Sequence, residues 1–380
     1  MPWSKARTNY PALERFLYAD NAAVGAIPAQ APVAASRVLA DMAGEGMQAY
    51  VRYKNGLREV RATIAAYLGA EPSDIGFCDS TSTSMNLLAM MARQEWENGG
   101  ARRDQVVLPR DEFPSSTLGW MRQGFEPVWV EPEPDQSYPA DKILAAVGPR
   151  TRAVVTSQVQ YKTGVRCDVE VIAAELRAGD VWHVVNATQA AGVIPQAMRA
   201  HGYAAATISS VKWLCAGVGT GVLYLSERLR QSCRVPLAGW MSQAEPFAML
   251  NDTITTVPDA SAVEAGCIEV SRLYALEACV GIAAAMGAEA VHRRVLDLNG
   301  RLAAGLQAMG ARIVTPLEDE RRAGIVTVRK EGAAAWRDWA RERNVLVSVR
   351  GDVGLRLSLH FFNDDDDVLA LLEAWREGPR

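Results

Sequence analysis

The sequence predicts an α/β protein, with a mainly parallel sheet between helices and a smaller α/β unit at its C-terminal end. Three observations carry this expectation. Short strand-like runs at 106–108, 128–130, 153–156, 181–185 and 204–208 are separated in several places by apolar helical stretches. That alternation favours parallel strands with helices on both faces of the sheet. The polar residues that stand out follow the carboxyl ends of these runs, where open sheets of this class bind ligands. From Ser271 onward the pattern changes to helices at 273–286 and 291–309 and short strands at 312–314, 325–328, 345–349 and 355–359.

Size and composition agree. A chain of 380 residues can bury two sizeable cores, and 49% hydrophobic with 22% charged residues is the balance of a globular protein. A net charge of −4 points to neither nucleic acid nor a membrane surface as partner. No apolar run reaches the roughly 20 residues needed to span a bilayer, and the opening MPWSKARTNYPALERF lacks the apolar core of a secretion signal. A cytoplasmic protein is expected. The six cysteines (78, 167, 215, 233, 267, 279) and four histidines (183, 201, 292, 360) are dispersed, so reduced thiols and no metal site are expected.

In chain order, DNAAVGAIP at 20–28 is turn-rich. Leu57, Val60, Ile64 and Leu68 share one face of a helix that ends at Gly69. A strand at 75–78 leads into DSTSTSMNLLAMMA, a hydroxyl-rich turn opening an apolar helix. Such a turn is an ordinary N-cap, and a helix N-terminus with free N–H groups also binds phosphate. The loop after 106–108 carries EFPSSTLGW with Phe113, and the loop after 153–156 carries SQVQYKTGVRCD with Gln158 and Gln160. Asn186, Thr188 and Gln189 follow 181–185.

Lys212 then stands between the run at 204–208 and a glycine-rich turn of Gly217, Gly219 and Gly221. Desolvation lowers the pKa of a lysine in apolar surroundings and frees its amine to attack a carbonyl. Near the end, the acidic run Asp364 to Asp367 suits the first turn of a helix, where the macrodipole favours negative charge.

The stretch 181–225, VWHVVNATQAAGVIP through ISSVKWLCAGVGTGVLYL, resembles the lysine region of the class V aminotransferase family, which includes kynureninases, cysteine desulfurases and isopenicillin N epimerase. The likeness extends over nearly the whole chain. It implies the PLP-dependent transferase fold type I, with a large cofactor domain at 21–255 and an N-terminal arm plus small domain from 1–20 and 256–380. It implies pyridoxal 5′-phosphate (PLP) as cofactor, joined to Lys212 as a Schiff base. By the same resemblance Thr81, Ser82 and Thr83 hold the phosphate, with Ser209 and Ser210 as further donors because Val211 replaces the family's His or Tyr. Phe113 stacks on the pyridine ring. Gln160, with Gln158 as second choice, meets the phenolic oxygen or the substrate, and Gln189 also meets the phenolic oxygen.

Arg356 in LRLSLHFFN takes the substrate-carboxylate role, with Arg350 as runner-up; a guanidinium fork suits a carboxylate. Trp240 in LAGWM lines the substrate pocket. Cys267 in EAGCI stands where relatives have a threonine that crosses a dimer interface, so a homodimer is expected. Ser116 falls where kynureninases often carry an acid. Asn186 replaces the family's aspartate, whose charge keeps the pyridine nitrogen protonated. An asparagine lacks that charge, which favours rapid discharge of a Cα carbanion, as by expelling a β-leaving group.

The resemblance implies action on a small-molecule α-amino acid, with Lys212 removing the Cα proton. Transamination and β-elimination (C–S or C–C) are the leading outcomes. The alternatives are epimerisation, or a degenerate PLP-binding relative that acts through a partner. Residues 332–356 hold no cysteine, so the persulfide chemistry of a desulfurase is not expected.

Overall fold

The computed structural model describes residues 2–97, 102–351 and 353–379. Seven strands form the main sheet: β1 (Ile75–Cys78), β2 (Gln105–Pro109), β3 (Glu126–Val130), β4 (Thr151–Ser157), β5 (Trp182–Asn186), β6 (Ala205–Ser209) and β7 (Gly221–Leu225). Their order is β1-β7-β6-β5-β4-β2-β3. The five strands from β3 to β6 are parallel neighbours. β7 runs antiparallel to both β6 and β1. This seventh strand is the return of the chain after the glycine-rich turn, a short connection that suits an antiparallel neighbour.

Alternate residues of each inner strand enter opposite cores. Val106, Leu108 and Val184 pack with Met85, Leu88 and Trp120. Val107, Val154 and Val185 pack with Leu57, Val60, Ile64, Ile172 and Leu276. A sheet covered on both faces explains why its strands read as unbroken apolar runs. Helices α1 (Gln30–Glu45), α2 (Met47–Tyr67), α3 (Thr81–Glu97) and α4 (Pro114–Arg122) supply much of this cover. In α2, burying Leu57, Val60 and Ile64 is worth about 1.5–3 kcal/mol each. That outweighs the few tenths by which valine and isoleucine disfavour a helix. Helix α5 (Val270–Met286) places Val270, Leu273, Leu276 and Val280 in the core of the large sheet.

Helix α6 (Ala288–Ala308) leads into a four-stranded antiparallel sheet: β8 (Arg312–Ile313), β9 (Val326–Arg329), β10 (Ser348–Arg350) and β11 (Gly354–Leu357), in the order β10-β11-β9-β8. The strand expected at 345–349 is divided. Val345–Leu346 pairs in parallel with Leu17–Tyr18, and only Ser348–Arg350 joins the sheet. The acidic run opens helix α7 (Asp365–Glu377), with Asp364 as N-cap accepting from Asp367 N–H. A further core joins the two sheets: Ala22, Ala26, Trp213, Val295, Ile325, Phe361 and Phe362. Trp213 in that core is the residue after Lys212. Among the described residues no single helix is long and apolar enough to cross a membrane.

Candidate active site

Lys212 lies in the turn after β6, and its Nζ donates to the Ala23 carbonyl. The segment 20–26 runs directly beside it: Gly25 N–H donates to Val211 O at 2.7 Å. A Cβ at Gly25 would stand 2.0 Å from Lys212 O, so only glycine allows this approach. The segment is tied to the C-terminal part of the chain. Asn21 Nδ2 donates to Ser358 O, and Ala22 N–H donates to Ser358 Oγ. Burial, then the Arg356 and Arg350 guanidiniums, lower the Lys212 pKa to about 8, with Asp20 opposing.

Arg356, on β11, is fully buried between Ser348 and Thr327 of the neighbouring strands. Its Nε donates to Ser348 Oγ (3.2 Å) and its Nη1 to Tyr161 O (2.8 Å). Its Nη2 lies 3.8 Å from Asp20 Oδ1, too far for a hydrogen bond, and both atoms lack a hydrogen-bond partner. Burial foremost, then Arg350, lowers the Arg356 pKa to about 9. Arg350 donates to Val349 O and is also lowered by burial. Lysine, two arginines and one aspartate thus lie within electrostatic reach of one another at the seam between the sheets.

Two helix N-termini converge nearby. In the first, Ser80 Oγ accepts from Thr83 N–H (3.2 Å), and the Thr83 hydroxyl donates to Asp79. Ser82, at the exposed start of α3, meets Ser115 of α4, their hydroxyls 2.8 Å apart. Phe113 is the N-cap of α4; it is 44% exposed and meets Tyr161 edge-on, ring centroids 5.1 Å apart. A face of this ring is therefore available for stacking.

The remaining expected residues divide into three groups. Asn186 ends β5; its Nδ2 donates to Ser116 Oγ (3.0 Å), and its Oδ1 accepts from Thr188 N–H (3.1 Å). The second group is engaged in scaffolding. Gln189 donates to Ala22 O (2.9 Å) and accepts from Trp213 Nε1 (2.7 Å), bracing both sides of the lysine turn. Gln160 accepts from Lys162 N–H and Thr163 N–H and donates to Asp111 O. Ser210 spends its hydroxyl on the Gly217 and Thr220 carbonyls, whereas Ser209 is held through its N–H by Thr188 Oγ1. Gln158 is fully buried, and its amide has no hydrogen-bond partner.

The third group makes its contacts with helix α2. Trp240 packs against Phe247 beneath Lys54, and Cys267 meets Tyr50 Oη at 3.4 Å. Among the described residues, no hydrogen bond or ring contact joins either of them to Lys212. Two carboxylates outside the expected set lie close to it: Asp20, of the DNAA segment, near Arg356, and Glu112, which opens the EFPSS loop, against Ser157.

The sequence model of class V aminotransferases matches residues 17–371. The chain belongs to the class V aminotransferase family. It is 25% identical over 341 residues to the kynureninase of Deinococcus radiodurans, covering 86% of this chain and 81% of that protein. It is 27% identical over 338 residues to the isopenicillin N epimerase of Amycolatopsis lactamdurans, covering 83% of each. Among solved structures, a C-DES mutant with glycine covalently linked to its PLP cofactor superposes with a TM-score of 0.89 at 18% identity, covering 98% of this chain and 99% of that one. The cysteine desulfurase of Thermococcus onnurineus superposes with a TM-score of 0.87 at 20% identity, covering 98% and 97%. The fold is PLP-dependent fold type I, and the family cofactor is PLP. The residues present fit that group: an amine depressed to about 8, an exposed aromatic ring, and a hydroxyl-rich helix N-terminus.

Proposed function

We propose that this class V family member acts on an α-amino acid, with Lys212 as the residue that carries the cofactor and then moves the Cα proton. The arrangement of Lys212, Asp20 and Arg356 supports this reading. With a pKa near 8, about a quarter of the Lys212 amine is free at pH 7.5, against about one part in a thousand for an ordinary lysine. Arg356 keeps Nη2 without a hydrogen-bond partner beside the lysine, ready for an α-carboxylate. Substrate binding then sets Cα within reach of Lys212. The cofactor, when bound, supplies a carbonyl for the amine and a conjugated ring that takes up the electron pair left on Cα. Phe113 would cover that ring, and the start of α3 with Thr81, Ser82 and Thr83 would receive the phosphate. Gln189 positions the lysine turn through Ala22 and Trp213.

The outcome in this reading is transamination or expulsion of a β-leaving group. Persulfide transfer is disfavoured because residues 332–356 supply no cysteine. A purely structural role is disfavoured too, because burying a lysine and an arginine together costs stability that a scaffold has no need to lose. The apolar side chains exposed at 247–254, with Cys267 and Trp240 nearby, support assembly as a homodimer. The test is to incubate purified protein with a panel of amino acids, with and without a keto acid, and identify products by mass spectrometry. Keto-acid-dependent amino transfer identifies an aminotransferase. Release of a β-substituent without keto acid identifies a lyase. Failure to convert any amino acid while PLP stays bound would count against an enzyme.

A further inference from the structure

Asn186 is one end of a hydrogen-bonded chain that leads away from the lysine. Its Nδ2 donates to Ser116 Oγ at 3.0 Å. Ser116 is also a side-chain donor that favours the charged carboxylate of Glu112. That carboxylate also accepts from Ser157 N–H (2.5 Å) and Ser157 Oγ (2.7 Å). The backbone dictates the convergence. Ser157 and Asn186 are register partners at the carboxyl ends of β4 and β5. Glu112 and Ser116 flank the start of α4, and Ser116 N–H donates to Phe113 O.

The direction of the chain follows from the chemistry of its ends. An amide nitrogen only donates, and an ionised carboxylate only accepts. The Ser116 hydroxyl between them therefore accepts from Asn186 and donates to Glu112. Bonds aligned in this way polarise one another. Asn186 Oδ1 gains acceptor strength, and it keeps a second lone pair beyond the one used by Thr188 N–H. Burial, the largest influence, raises the Glu112 pKa above the ordinary carboxylate value, and the donors from Ser157, Ser116 and Phe113 oppose it in favour of the ionised form. The other ionisable groups that face it are Cys167 and Tyr138, both kept neutral by burial, and Asp111, which Lys162 and Tyr138 engage.

We propose that Glu112 is a positioning residue: through Ser116 it polarises Asn186, so that Asn186 Oδ1 accepts the N–H of a protonated cofactor ring nitrogen. The inference rests on the reading that PLP binds at Lys212 with its ring nitrogen toward Asn186. A carboxylate two hydrogen bonds away thereby restores charge that the amide itself lacks.

The test uses the full chain reconstituted with PLP labelled with ¹⁵N in the ring. Solid-state ¹⁵N spectra report whether that nitrogen carries a proton, and titration of the apo protein gives the PLP dissociation constant. Ser116→Ala cuts the relay and leaves the Glu112–Ser157 pair intact, whereas Glu112→Gln removes the charge. We expect a protonated nitrogen in the unmodified protein, a shift toward the unprotonated signal in both variants, and PLP affinity about tenfold weaker for each pKa unit lost at the ring. In an Asn186→Asp background the charge is local, and Ser116→Ala should leave the ¹⁵N signal unchanged. Should Glu112→Gln fail to fold, Ser116→Ala carries the test. An unprotonated nitrogen in the unmodified protein, or a protonated one unaltered by Ser116→Ala, overturns the relay alone. An unmodified chain that takes up no PLP at Lys212 overturns the functional reading beneath it.

Discussion

Replacing Arg356 with methionine should change two measurable quantities at once. The side chain is fully buried, and Ser348 and Tyr161 O hold two of its nitrogens while Nη2 is left without a hydrogen-bond partner. Truncating one member of a buried charge pair costs roughly 2–5 kcal/mol. That corresponds to a loss in amino-acid affinity of about 30- to 4,000-fold at 1.4 kcal/mol per factor of ten. The same guanidinium is one of the two cations that help burial depress Lys212 to about 8. Its removal should let the lysine hold its proton to higher pH, so PLP uptake by the apo protein should need more alkaline conditions. Arg356→Lys separates the two effects. It keeps a cation beside Asp20 but loses the planar fork, so affinity should fall while the uptake profile stays near that of the unmodified protein. Stopped-flow absorbance of apo protein mixed with PLP across pH 6–10 gives the first quantity, and spectral titration of the holoprotein with an accepted amino acid gives the second. If Arg356→Met leaves both unchanged while Arg350→Met abolishes binding, the carboxylate belongs to Arg350.

Four further outcomes are expected. Borohydride should trap PLP on Lys212 and on no other residue, as read by peptide mass spectrometry. Because the folded lysine pKa lies below the unfolded one, the charged form destabilises the apo protein below about pH 8 and that penalty fades by about 10.5. Lys212→Met should therefore raise the apo Tm at pH 7 and do so much less at pH 10.5. Gly25→Ala, whose Cβ would meet both Lys212 O and Cys215 Sγ, should cost roughly 1–3 kcal/mol in urea unfolding and slow PLP uptake. Light scattering should give twice the monomer mass, and Ile254→Asp, at a side chain 73% exposed in the single chain, should shift the population toward monomer.

The sequence exposes some features of this site and conceals others, for physical reasons that can be named residue by residue. The parallel strands are legible because burial on both faces writes them as apolar runs. β7 is not, because Gly221 to Leu225 looks like the tail of a glycine turn until its pairing with β1 and β6 is known. Lys212 is legible because a lone amine among apolar residues has few other uses. The glutamines are harder to read for the opposite reason. An amide suits a cofactor oxygen and a backbone carbonyl equally well, and nothing local to Gln189 or Gln160 reveals that the partners are Ala22 O, Trp213 and Asp111 O. Glu112 is the extreme case. It is the first residue of the EFPSS motif, yet its connection to Asn186 depends on the register that sets Ser157 opposite Asn186 and on the helical turn that brings Ser116 back toward it. Those are relations between β4, β5 and α4. In the proposed relay, the charge that the chain lacks at position 186 is compensated by a residue that no spacing along the sequence links to it, and the unit that would set the electronics of the site is the three-element junction.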